Sequence, residues 1–104
     1  MKWKRLQSRT GPRGGVQGEL QSAIALHRAG DLDSAEEAYT RLLAAHPDHA
    51  DALHFLGVLQ HQRGRSQEAV ATITRAVALS PDYADAHNNL GNVLKEMNEF
   101  EAAL

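Results

Sequence analysis

The six histidines are the residues of this sequence best suited to metal binding, because a neutral imidazole is a common zinc ligand. His54 and His61 are seven residues apart, which places them on one face of a helix but about 10 Å apart along its axis. Zinc–nitrogen bonds are about 2.0–2.1 Å long, so one ion cannot bind both rings. His46 and His49 could approach each other in a turn, but no third ligand accompanies them. We therefore predict no metal site and no cofactor.

The other residue types that support catalysis also lack a suitable arrangement. The chain contains no cysteine, which excludes a thiol nucleophile, a disulfide and a thiolate metal site. Gly11, Gly14 and Gly15 have no predicted strand before them, so they do not indicate a phosphate-binding loop. Carboxylates such as Glu96 and Glu99 have the spacing of a solvated helix face. The sequence therefore predicts no catalytic residue, and we expect this segment not to be an enzyme.

The composition is that of one folded domain without a membrane span. The chain has 104 residues, of which 42% are hydrophobic, enough for a packed core. Its apolar runs are only a few residues long, whereas a bilayer span needs about 20 residues. The first residues are charged and lack the apolar stretch of a secretory signal. We therefore predict a cytoplasmic protein.

A period of 34 residues organises the chain from residue 16 onward. Residues that recur one period apart are Pro47 and Pro81, Gly30 and Gly64, Ala35 and Ala69, Gly57 and Gly91, and Ala69 and Ala103. Chance does not keep glycine, alanine and proline in phase over three copies, so this self-similarity predicts a repeat architecture. The predicted repeats are residues 16–49, 50–83 and 84–104, the third being cut short.

Each repeat has the pattern of two short helices. In the second repeat, apolar residues recur at helical spacing up to Gly64 and again up to Ser80, where Pro81 ends the pattern. Gly64 suits a left-handed turn between the helices, and Asp33 and Ser66 are predicted to cap the second helices. Small residues at equivalent positions let paired helices approach each other. The predicted packing residues are Ala23, Ala35, Gly57, Ala69, Gly91 and Ala103.

These repeats resemble the tetratricopeptide repeat (TPR), a 34-residue unit with a W-x2-L-G-x2-Y…A…P pattern. On that pattern the second repeat carries Leu53, Leu56, Gly57, Ala69 and Pro81. The first repeat departs from it, with Glu19 and Ser22 in place of large apolar residues, as a polar capping repeat would. The resemblance implies an all-α fold, a TPR-type superhelix of antiparallel helical hairpins (an α-solenoid). It also implies a scaffold that binds a peptide or protein segment in a concave groove lined by the first helix of each repeat.

The groove residues are predicted from the helical face opposite the packing residues. They are Ile24, His27, His54, Val58, His61, Asn88, Asn89, Asn92 and Lys95, with Leu20 beside them. The groove would be apolar and rich in imidazole in the first two repeats, and rich in amides in the third. The alternative is that these residues belong only to solvated helix faces.

Two TPR subtypes make contrasting predictions for this groove. Chaperone-binding TPR domains clamp peptide carboxylates with Lys and Asn, and the matching positions here are Leu20, Ile24, Phe55, Asp85 and Asn89. The missing basic residues disfavour such a clamp. Residues 87–96 resemble the TPR arrays that precede O-linked N-acetylglucosamine transferases, which carry an asparagine ladder. Asn89 matches one rung, and the equivalent positions of the other repeats hold no asparagine.

The net charge of −2 conceals a basic tail on an acidic body. Residues 1–15 hold five Lys and Arg and no acid, whereas residues 16–104 hold six Lys and Arg against thirteen Asp and Glu. The glycine- and proline-rich run at residues 11–15 predicts a flexible tail and no helix before residue 16. Such a tail could favour nucleic acid or acidic lipid, but we prefer a solubilising role and expect no nucleic-acid partner. The acidic repeats favour partners with basic or polar segments.

The third repeat stops inside its second helix, which Phe100 is predicted to start. Its apolar side would be left uncovered, so we expect that the natural protein continues or that a second copy covers this end by self-association. Two functions remain open. One is a scaffold that binds a protein or peptide; the other is the N-terminal substrate-recruiting TPR region of a longer glycosyltransferase- or sulfotransferase-like enzyme.

Overall fold

Five α-helices follow one another in the computed structural model, which describes residues 7–103 and the side chains of residues 15–99. They are α1 (Gln7–Arg28), α2 (Leu32–Ala45), α3 (Ala50–Gln62), α4 (Ser66–Leu79) and α5 (Ala84–Ala103). Consecutive helices pack against each other across connections of three or four residues, and such short connections force antiparallel neighbours. Helix α3 also contacts α1 and α5. The predicted all-α fold of helical hairpins is confirmed.

Glycines at equivalent positions make the turns inside the first two hairpins. Gly30 and Gly64 have φ angles of +87° and +83°, in the left-handed region that a residue with a Cβ rarely adopts. After α3, the Gly64 N–H donates to the carbonyl of His61 at 3.0 Å, and the Arg65 N–H donates to that of Gln60 at 2.8 Å. This pair of hydrogen bonds closes the helix end. The predicted left-handed turn at Gly64 is confirmed.

The second helices begin one or two residues earlier than their predicted caps imply. Asp31 is the N-cap of α2, and its carboxylate accepts the Ser34 N–H at 3.2 Å. Arg65 occupies the N-cap of α4 without a side-chain cap hydrogen bond. The prediction of Asp33 and Ser66 as caps is therefore wrong. Its physical reason is the tight glycine turn, because the residue after each glycine already becomes the N-cap.

The core consists of two clusters that meet on α3. The first joins α1, α2 and α3, and its largest side chain is Tyr39. The second joins α3, α4 and α5 and is centred on Ile73. Ala23, Ala35 and Ala69 have no exposed surface. Because α3 contributes to both clusters, each hairpin is stabilised by its neighbour rather than by a core of its own.

Two glycines at the same repeat position have different surroundings. A Cβ built on Gly57 would overlap Cγ1 of the fully buried Ile73 and would lie 3.4 Å from the carbonyl oxygen of Ala69. The close approach of α3 and α4 therefore requires a glycine here. A Cβ built on Gly91 would meet nothing within 4 Å. The packing role predicted for Gly91 is thus wrong, because no helix lies against it in the described part of the chain.

The two ends of the described chain differ from the sequence expectation. Helix α1 begins at Gln7, so the prediction of no helix before residue 16 is wrong; glycine tolerates the helical path, although Gly15 departs from it with φ +43°. The rest of the predicted tail, residues 1–6, lies outside the described residues. Helix α5 continues through Asn98, so no turn precedes Phe100. Asn98 occupies the position of Gly64 but carries a Cβ, which disfavours the left-handed turn. The side chain of Ala103 is outside the described set.

None of the helices within residues 7–103 has the length and apolarity needed to cross a bilayer.

Candidate peptide-binding face

Three histidines bridge the first helices of successive repeats. The bridges are His27 Nε2 to Gln62 Oε1 at 2.6 Å, His54 Nε2 to Asn89 Nδ2 at 2.6 Å, and His61 Nε2 to Glu96 Oε1 at 2.9 Å. Each pair is 35 residues apart, which is one repeat plus one residue. We call the side of α1, α3 and α5 that carries these bridges the inner face.

The second ring nitrogen of His27 and His61 ties the inner face to the following helix. His27 Nδ1 lies 3.0 Å from the hydroxyl of Tyr39 on α2, and His61 Nδ1 lies 2.9 Å from Oγ of Ser66 on α4. Burial raises the pKa of Tyr39 to about 12, although Arg28 acts against this shift, so the hydroxyl keeps its proton. Each of these histidines therefore joins three helices through two hydrogen bonds.

His54 is the buried polar residue of the inner face, with 4% of its surface exposed. Its Nδ1 lies 3.0 Å from the hydroxyl of Tyr83, and the two rings meet edge to face with centroids 5.0 Å apart. Burial lowers the pKa of His54 below its usual 6.5, against the opposing effect of Asp85 and Asp51. The ring is therefore neutral at pH 7.

An aromatic stack continues the inner face toward the first repeat. The rings of Tyr39 and Phe55 are parallel within 6°, with centroids 6.4 Å apart, and Phe55 also contacts His54 at 5.1 Å. Stacked rings prefer such offset arrangements. Phe55, the half-buried ring of the stack, is thus held in place by the buried Tyr39 and His54.

Ion pairs also join α2 of the first hairpin to the turn between α3 and α4. Arg63 pairs with Asp33 at 2.7 Å and with Glu36 at 3.4 Å. Arg65 pairs with the same Glu36 at 2.6 Å and with Glu68 at 3.1 Å. A network that shares one carboxylate holds its side chains in place better than isolated surface pairs do. The position of α2 relative to the turn after α3 depends on Glu36.

The predicted groove residues fall into three groups. His27, His54, His61 and Asn89 are brought together in the bridges, and Asn88, Asn92 and Lys95 are exposed on α5, with Val58 half-buried on α3. Ile24 and Leu20 belong to the first core cluster, so their prediction as groove residues is wrong. The reason is that α1 turns this side toward α2 and α3, where an apolar face is needed.

The family of the chain follows from its sequence match. Residues 20–84 match one family model described as a tetratricopeptide repeat, and residues 72–104 match a second. The chain belongs to the tetratricopeptide repeat family. The resemblance found in the sequence is confirmed. Comparison with curated proteins gives no match.

Solved structures similar to this TPR chain include enzymes and binding proteins. An O-GlcNAc transferase mutant of Thermobaculum terrenum is 38% identical, with a TM-score of 0.75, over 85% of this chain but only 17% of that chain. MamA is 27% identical, with a TM-score of 0.75, over 86% of this chain and 53% of its own. The second TPR domain of Spaghetti (RPAP3), solved with an HSP90 peptide, is 21% identical, with a TM-score of 0.75, over 83% and 80% of the two chains. This TPR chain therefore spans less than a fifth of the transferase and about half of MamA.

Sequence reasoning missed the partners of the TPR histidines. Tyr83, Gln62, Glu96 and Ser66 were not among the predicted groove residues, yet each forms a hydrogen bond with a histidine ring. The signal that could have found two of them is the offset of 35 residues, since a polar residue stands that far after His27 and after His61. Within residues 15–99, no group of three or more His, Asp or Glu side chains could hold a metal ion.

Proposed function

We propose that this chain is an interaction module that binds a peptide segment along its inner face. The observation that supports this is that the second helices of the repeats pack against the first helices without covering the exposed amides of the inner face. Helices α2 and α4 pack against α1, α3 and α5, while the inner face keeps Asn88 and Asn92 exposed and Asn89 half-buried. The role of scaffold follows from this proposal.

The chemistry of the inner face favours a polar or basic peptide. Asn88 and Asn92 expose amides that can both donate to and accept from a peptide backbone. Asp51 and Asp85 lie where α3 and α5 begin, and the repeats as a whole carry thirteen acids against six Lys and Arg. Opposite charge raises the rate of encounter with such a partner.

The test is selection of a ligand from random peptides displayed on phage, followed by calorimetric titration of the strongest peptide. Asn92→Ala, on the inner face of α5, is expected to weaken binding several-fold. Gln67→Ala, an exposed amide on α4, is the matched control and should leave the affinity unchanged. Equal effects of both substitutions, or no selected peptide, would contradict a ligand site on the inner face.

A second candidate function is favoured by the 38% identity to the transferase. We propose that this chain is the substrate-recruiting TPR region of a longer glycosyltransferase- or sulfotransferase-like enzyme. An antibody raised against residues 16–104 and used on extracts of the source cells would then detect a protein several times longer than 104 residues. A native protein of 104 residues would rule this candidate out.

Self-association stays a prediction, and the surface it would use can be named. Leu94 on α5 is 47% exposed and Leu79 at the end of α4 is 44% exposed. We propose that a second copy covers these leucines. Light scattering should then show a dimer that Leu94→Glu converts to a monomer, and a monomeric wild-type chain would contradict the proposal.

A further inference from the structure

The side-chain amide of Asn89 has a defined direction on the inner face. Its nitrogen lies 2.6 Å from Nε2 of His54, so it is the nitrogen that points toward α3. Among the described residues, Gln60 Oε1 is the one buried side-chain oxygen or nitrogen without a hydrogen bond. The Oδ1 oxygen of the half-buried Asn89 has no hydrogen-bond partner within residues 15–99 and is not such a fully buried atom, so part of its surface faces solvent. An amide oxygen accepts hydrogen bonds, so this point of the surface offers an acceptor.

The ring of His54 sets this direction. A neutral imidazole carries one proton, so one ring nitrogen donates and the other accepts. Nε2 accepts an N–H of Asn89, and the proton must therefore be on Nδ1. Nδ1 is 3.0 Å from the hydroxyl oxygen of Tyr83, to which it donates.

The hydroxyl group of Tyr83 continues this series of donors toward a carboxylate. Burial raises the pKa of Tyr83, and the negative charge of Asp51, which lines the same cavity, raises it further, so the phenol keeps its proton at neutral pH. A phenolic O–H is attracted by a nearby negative charge, so the O–H of Tyr83 points toward Asp51 and its oxygen accepts from His54. Every donor in the series Asn89, His54, Tyr83 points toward Asp51.

Three other histidines show the opposite arrangement. The Nε2–H of His61 donates to the carboxylate of Glu96 at 2.9 Å, and that of His87 donates to a backbone carbonyl at 2.7 Å. The Nδ1 of His49 accepts the N–H of Ala52 at 3.2 Å, which leaves its proton on Nε2. When neutral, these three rings carry the proton on Nε2, whereas His54 carries it on Nδ1.

We propose that Tyr83 and Asp51 are positioning residues that act through His54 to hold Asn89 with its oxygen outward. At this point the inner face then recognises a hydrogen-bond donor of the bound peptide, such as a backbone N–H. The existence of a peptide rests on the proposed function, but the orientation of Asn89 does not.

The first measurement needs no ligand. Long-range ¹H–¹⁵N spectra of the full chain at neutral pH distinguish a protonated ring nitrogen from an unprotonated one. His54 is expected to be protonated on Nδ1 alone, whereas His49 and His87 serve as internal controls with protonated Nε2. In Tyr83→Phe, Nδ1 loses its acceptor, so the proton of His54 should move to Nε2 while the controls stay unchanged. A wild-type His54 protonated on Nε2 would overturn the inference.

A second variant covers the case in which Tyr83→Phe does not fold. Asp51 is exposed, so Asp51→Ala leaves the core intact. Tyr83 can then donate to Nδ1, and His54 should show both protonated forms in exchange. An unchanged ring in Asp51→Ala would remove Asp51 from the proposal.

The binding consequence is tested with the strongest phage-selected peptide. Tyr83→Phe should weaken its binding about tenfold, the loss expected for one hydrogen bond that meets the wrong side of an amide. Adding Asn89→Asp should restore affinity, because a carboxylate presents an acceptor in either orientation. If the phage selection gives no peptide, the proposed function fails. The NMR measurement of the His54 ring still decides the orientation of Asn89 in that case. Full affinity in Tyr83→Phe would refute the role in recognition.

Discussion

Alanine at Gly91 should stabilise the chain, whereas alanine at Gly57 should not. Both glycines stand at the same position of a first helix, so the gain in helix propensity is the same for both, about 0.8–1.0 kcal/mol. Only Gly57 faces another helix. Its new methyl group would overlap Cγ1 of Ile73, whose side chain is fully buried and cannot swing aside.

The size of the difference follows from this overlap. Forcing an extra methyl group into a packed core costs about 1–3 kcal/mol. Gly91→Ala should therefore stabilise the chain by about 1 kcal/mol, and Gly57→Ala should leave it between unchanged and about 2 kcal/mol less stable. Because propensity cancels in the comparison, the difference between the two variants measures the overlap alone.

Urea unfolding followed by circular dichroism measures both free energies, and thermal unfolding checks them. For a domain of this size, 1 kcal/mol corresponds to about 4–8 °C in Tm. Gly57→Ala should melt below Gly91→Ala, with the wild type between them or level with Gly57→Ala. Equal stabilisation by both substitutions would refute the close packing of α3 on α4 through Gly57.

The other predictions concern single polar contacts. Glu36→Gln should lower Tm by a few degrees at low salt and by less at high salt, whereas Glu37→Gln, in a longer exposed pair, should have no effect at either. Tyr39→Phe removes the buried partner of a histidine and should cost about 1 kcal/mol in urea unfolding; an unchanged midpoint would contradict that hydrogen bond. Because the folded pKa of His54 is lowered, the unfolded chain binds its proton more tightly, and stability should fall as pH drops below about 6.5. His54→Gln should flatten that pH dependence in acid titrations.

The architecture of the hairpins was predictable because it depends on local signals. A left-handed glycine such as Gly64 and a proline after the second helix occur at the same positions of the first two repeats. The continuous α5 was not predictable from the period, because Asn98 tolerates a left-handed turn without requiring it. A turn forms at Asn98 only if the packing of a separate second helix stabilises the chain more than the continuation of α5 does.

The location of the inner face was predictable from the sequence, but its hydrogen bonds were not. Helical spacing identified His54 and Asn89 as neighbours of the groove, but their mutual hydrogen bond depends on how far α5 is displaced along α3. That displacement is determined by how the repeats pack against each other, so the sequence of a single helix does not predict it. Ile24 was misplaced for a related reason, since spacing alone cannot tell which apolar side of α1 meets α2.

The offset of 35 residues has a consequence for how such a chain can change over generations. Gain or loss of one whole period keeps each histidine opposite the same position of the next unit, and only the type of the facing residue changes. Loss of one period after His27 would put Glu96 in the place of Gln62, which exchanges a neutral bridge for an ionisable one. An insertion of a single residue between a histidine and its partner would instead change their spacing and break that hydrogen bond. Gene duplication in units of 34 codons can therefore lengthen the array and vary its junctions without requiring a new interface.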